Sequence, residues 1–153
     1  MARALEGTRG AASIHDARCN LVWVSSELKA ALGETDEDKI GYGKHGYEAY
    51  MTETWGNRVT EETRMHMVVE QLPYVMYDTP GGKERVKEII LEAIHNEGSC
   101  PPHGIDPNEI SHEAIVELLD SIEPLEPPPV LTGTIEFLQG DLPPLKVNEV
   151  TFR

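Results

Sequence analysis

Four prolines lie within residues 124–129, in the stretch SIEPLEPPPV. Proline lacks an amide hydrogen and fixes φ, so neither a helix nor a central strand can run through such a cluster. An extended connector is expected there. It divides the chain into a long region that must build its own helices and a short tail of alternating pattern.

The long region carries well-marked helices. Thr60 can cap a helix whose first turn holds Glu61 and Glu62 at the positive end of the dipole. Met65, Val68, Val69, Leu72, Val75 and Met76 recur at three- and four-residue spacing and share one face. Pro73 should kink or interrupt that helix. In DTPGGKERVKEIILEAIHNEG, Thr79 reads as a cap, Pro80 as the first helical position and Gly98 as lying just past the end. Val86, Ile89, Ile90, Ala93 and Ile94 form its stripe. In DPNE, Asp106 reads as the cap of a further helix, with Glu109 completing a capping box. The Gly-rich run ETDEDKIGYGKHGYEAY predicts a turn of helix near 36–40 and a helix over 44–52.

Strands are predicted at the two ends. Ala12–His15 and Leu21–Val24 flank the turn residues DARCN, and Ser25 or Ser26 caps a short helix closed by Gly33. After the prolines, VLTGTIEFLQ and KVNEVTFR alternate around GDLPPL, which reads as a hairpin. Two strands, a helical middle and two strands make an α+β plan with both strand pairs expected in one antiparallel sheet. Residues 1–11 form a lead-in and 12–153 one domain.

Twenty-seven acids against thirteen lysines and arginines leave a formal charge of −14. Such a surface repels phosphate backbones and anionic headgroups, so nucleic-acid and membrane-surface roles are disfavoured. No stretch approaches the ~20 apolar residues of a spanning helix. Cys19 and Cys100 make no disulfide framework, and free thiols in the cytoplasm are the expectation.

The opening DARCNLVWVSSELKAALG resembles the start of a PAS domain, through Asp16, Asn20, Val22, Trp23, Ser25, Leu28, Leu32 and Gly33. The closing TGTIEFLQGDLPPLKVNEVTFR is similar to that family's later hairpin. The resemblance covers approximately residues 12–50 and 130–153. The segment 60–122 holds more helix than the family usually places between its strands, and four strands are found where the family has five. The missing strand implies a fragment, or a strand supplied by another segment. The resemblance implies a sensory or regulatory role: a small molecule held between sheet and helices, an output domain in the same protein and pairing into a homodimer, with residues 1–10 in a dimerising helix.

The candidate chemistry divides by residue type. TGTIEFLQG echoes the flavin-binding light sensors, but Ile135 and Glu136 stand where those carry Cys-Arg, so no thiolate can attack a flavin. His66 on the best helix is the candidate haem ligand, yet it falls beside the apolar stripe and reads as a boundary residue. His95, Cys100, His103 and His112 offer a Cys-x-x-His half-site for zinc without a second close pair. Asp78, Thr79, Gly81 and Gly82 read as a helix start before they read as an anion site. No hydrolase elbow, phosphate loop or zinc-protease motif occurs, so no enzyme is expected. An apolar pocket remains, lined by Trp23, Tyr47, Tyr50, Met51, Met65, Val68, Val69, Leu72, Met76, Ile135 and Phe137 and suited to a fatty-acid-like ligand. The alternative is a ligand-free interaction or dimerisation module. A large buried cavity would mark the first, and a filled core with an exposed apolar patch the second.

Overall fold

A computed structural model describes residues 10–152; the dimerising helix expected over 1–10 falls almost wholly outside them. Strands β1 (Ser13–His15) and β2 (Leu21–Val24) pair antiparallel around a turn organised by Asp16. Its Oδ1 accepts from the amides of Arg18 (2.8 Å) and Asn20 (2.9 Å). Helix α1 (Ser26–Leu32) follows at once, because Ser25 Oγ accepts from Leu28 N–H and Gly33 exits at φ 66. Ser25 also ties the lead-in down, accepting from Ala12 N–H and donating to the Gly10 carbonyl.

Short helices α2 (Glu37–Ile40), α3 (Gly46–Tyr50) and α4 (Glu53–Gly56) wind through the Gly-rich region. Then α5 (Glu61–Met65), capped by Thr60, runs into a π-helical turn at His66–Glu70 before α6 (Leu72–Asp78). Pro73 lies in the first turn of α6, where its missing N–H costs nothing. The interruption expected at Pro73 is thus real, and it takes the form of a widened turn followed by a new helix.

Helix α7 (Gly82–Ala93) begins after Gly81, not at Thr79, whose hydroxyl is engaged by His45. A single 3-10 turn (His103–Ile105) precedes α8 (His112–Ser121), which is capped by Ser111. Asp106 instead holds a local turn, accepting from Asn108 N–H at 2.8 Å, and Glu109 pairs with His103. The capping box expected at Asp106–Glu109 is therefore not formed. Strands β3 (Val130–Gln139) and β4 (Leu142–Phe152) make the final hairpin.

The two strand pairs do not share a sheet: β1–β2 and β3–β4 are separate two-stranded ladders. The expectation of one antiparallel sheet fails for a local reason. The second edge of β2 is occupied by residues 43–46, through Leu21 N–H to Lys44 O, Gly43 N–H to Leu21 O and an Asn20–His45 bridge. Near its turn, β3 is held by residues 58–60, through Thr60 N–H to Glu136 O and Leu138 N–H to Arg58 O. Loop backbone has taken the positions that the other hairpin would need.

Two apolar clusters fill the body. One joins α3, the π-turn, α6, α7 and α8 through Tyr47, Met51, Val68, Leu72, Met76, Ile90 and Leu119. The other joins β2, α1, α2, α4 and the turn end of the last hairpin through Leu21, Leu32, Ile40, Trp55, Val59 and Phe137. Tyr50 and Met67 pack against both.

Candidate functional site

Eight of the eleven residues expected to line one pocket are divided between these clusters, and Trp23, Met65 and Val69 belong to neither. Tyr47, Met51, Val68, Leu72 and Met76 are buried in the helical cluster, and Tyr47 Oη donates to the Val68 carbonyl at 2.8 Å. Phe137 is buried in the other cluster, with Ile135 against it. Met65 and Val69 are half-buried; a side chain at Gly104 would meet both. Trp23 stands apart from both clusters: it is half-buried and pairs across the ladder with Ile14.

A cleft of about 580 Å³ open to solvent is bounded by Tyr74, Leu125 and the proline run, and another of about 260 Å³ by residues that include Glu34, Glu53 and Arg58. None of the eleven expected residues lines either cleft.

A polar cluster lies where the first hairpin meets α3 and the α6–α7 junction, and residue spacing did not reveal it. His45 serves as the cap of α3, its Nδ1 accepting from Tyr47 N–H at 3.2 Å. An accepting Nδ1 leaves the neutral ring's proton on Nε2, which is 3.1 Å from Thr79 Oγ1 and donates to it. The Thr79 hydroxyl also acts on the Cys19 thiol, partly opposing the upward push of burial on it. The direction of this chain keeps His45 from acting as a base on Thr79. Burial pushes the Cys19 thiol up, so it is a poor nucleophile. Alongside, His15 Nε2 is 2.9 Å from Tyr50 Oη. His15 and His45 are both held down to about 4. Burial is the main cause in each, reinforced by His45 for His15 and by Arg85 for His45.

His66 has the opposite environment. Its Nδ1 is 2.9 Å from Glu70 Oε2 and its Nε2 is 3.0 Å from Glu149 Oε2 on β4. Burial opposes the charged ring, but hydrogen bonds to the two carboxylates outweigh it and raise the pKa above the ordinary histidine value. Both nitrogens are engaged, so the candidate haem ligand has none free. The zinc candidates disperse: Cys100 Sγ accepts from Arg64 Nη1 at 2.8 Å, His103 pairs with Glu109, and His95 stacks edge-on with His112. Among the described residues no group of three or more His, Cys, Asp and Glu is placed to hold a metal ion, and no helix is long and apolar enough to cross a membrane.

Among the described residues, five of the eight exposed large apolar side chains lie on the last hairpin, with Val22, Tyr77 and Leu125 elsewhere. The hairpin's inner face turns Ile135, Phe137 and Val147 to the body. Its outer face presents Val130, Leu138 and Val150 at 45%, 43% and 51% exposure, with Thr132, Thr134 and Asn148 between them; Leu145 shares the face of its partner Phe137, and Leu142 is exposed at the turn. The outer face carries one acid, Glu136, opposite Lys146 in the ladder and paired with it at 2.7 Å. In a chain of net charge −14 the described ladder residues of this face carry no net charge, with Glu62 of α5 the further acid acting on Lys146.

No family model, curated protein or solved structure matches the chain.

Proposed function

We propose that the chain is a regulatory protein-interaction module that pairs with a second copy of itself through the outer face of β3–β4. The carrying observation is where the apolar surface lies: most of the side chains suited to a pocket pack into two cores, while Val130, Leu138 and Val150 are exposed on the outer face of the last hairpin. Two chains of charge −14 repel over most of their surfaces. The Glu136–Lys146 pair neutralises the outer face, so two copies can meet there with little repulsion. A two-stranded ladder is also marginal alone and gains from further cover. The PAS resemblance of residues 12–50 and 130–153 supports the regulatory side of this reading, with the output domain elsewhere in the same protein.

Native mass spectrometry and light scattering test it. The expected result is a dimer that Val150→Glu and Leu138→Glu each convert to a folded monomer. A monomer in the unmodified chain at tens of micromolar (order of magnitude for a weak interface) would overturn it. A mass excess released by denaturation as a fatty acid would favour the ligand-sensor alternative instead.

A further inference from the structure

We infer that His66 is a protonation-dependent clamp that fastens the β3–β4 hairpin to the helical body, so that hairpin docking weakens when this imidazole loses its proton. The inference concerns how the hairpin is held and does not depend on what its outer face binds.

Three features converge on one ring. The π-helical turn places His66 and Glu70 together while aiming the other edge of the imidazole at the hairpin. Extra-wide turns of this kind recur at functional positions. On β3, Gly133 leaves room for the ring: a Cβ there would lie 2.4 Å from His66 Nε2 and 2.8 Å from Cε1. On β4, Glu149 is the cross-strand partner of Gly133 and receives the Nε2 contact. Among the described residues, this hydrogen bond joins β4 to the helical body. The remaining hydrogen bonds to the body belong to β3 and lie toward the turn, at Glu136 and Leu138, where Lys146 of β4 also feels the charge of Glu62.

The proton count supplies the switching. An imidazolium donates from both nitrogens and satisfies Glu70 and Glu149 together. A neutral imidazole carries one N–H, so one carboxylate must then face a ring lone pair across about the same 3 Å. That contact turns from attractive to repulsive, and the hairpin side can relieve it by moving away. The groups facing the ring are Glu70 from its own turn, Glu149 from β4 and the Gln71 amide at 3.5 Å; Gly133 contributes no charge. The nearby Tyr50 phenol stays protonated because burial and Glu149 push it up.

Amide hydrogen exchange of the full chain between about pH 6 and about pH 8.5, corrected for intrinsic rates, tests the clamp. Protection of the amides in 130–134 and 147–151 should fall several-fold on raising the pH, while α7 amides stay unchanged. In His66→Gln and in Glu149→Gln, hairpin protection should lose that pH dependence. Should either variant fold poorly, NMR titration of His66 in the unmodified chain decides alone. A midpoint above the ordinary histidine value, moving with the hairpin amide shifts, supports the clamp. A midpoint at or below that value, or pH-independent hairpin protection, overturns it.

Discussion

His45 shows how one side chain can close off a reaction and build a structure. It caps α3 through Nδ1 and reaches Thr79 through Nε2, so its only proton is committed. Thr79 is thereby removed from the start of α7, and Gly81 takes that position. Trp23 shows the reverse: a large apolar side chain that is only half-buried and outside both clusters. Truncating Leu72, which has 0% exposure, should cost about 2–5 kcal/mol in urea unfolding. Trp23→Ala should cost less, about 1–2 kcal/mol, because the side chain is only half-buried and lies outside both clusters. Equal losses at the two positions would mean that the tryptophan is enclosed after all.

At the scale of elements, the short helices are held by exits and close approaches more than by their length. Gly41 leaves α2 at φ 99, and a Cβ there would lie 2.7 Å from the Ala49 Cβ on α3. Gly43 has φ 78 but open space around it. Gly43→Ala therefore carries backbone strain alone, of order 1 kcal/mol. Gly41→Ala adds a collision and should cost about 1–3 kcal/mol more. Thermal melts of the two variants compare them directly; a Gly41→Ala protein as stable as Gly43→Ala would show that α2 and α3 can part without penalty.

For the whole molecule, the histidines set opposing pH dependences. His15 and His45 are held at about 4 in the folded chain against 6.5 for the free side chain. Between those values the unfolded chain binds more protons, so stability falls as the pH drops from about 6.5 toward 4. For the buried His45 alone, the difference corresponds to about 3 kcal/mol across that window. His66 acts the other way. Its raised pKa contributes stability that is present below 6.5 and is lost as the pH rises through the folded value. Unfolding free energy should therefore peak near neutrality, and His45→Gln should flatten the acid limb. An acid limb unchanged in that variant would assign the fall to carboxylates.

Much of the element list could be read from the chain because its causes are local. Ser25 and Gly33 bracket α1, Thr60 opens α5, and the turns at Asp16 and Gly140 set the hairpins through their own side chains and backbone. The apolar stripes likewise identified core residues such as Val68, Leu72 and Ile90. The tertiary structure decided what lies against what. It gave the second edge of β2 to residues 43–46, and so separated the hairpins. It divided the expected pocket into two packed clusters. It also brought His66 to Glu149 across 83 positions and His45 to Thr79 across 34. Capping and periodicity act within a few residues, so sequence alone can report them. Strand-edge occupancy and a histidine's proton depend on partners that only the folded chain brings together.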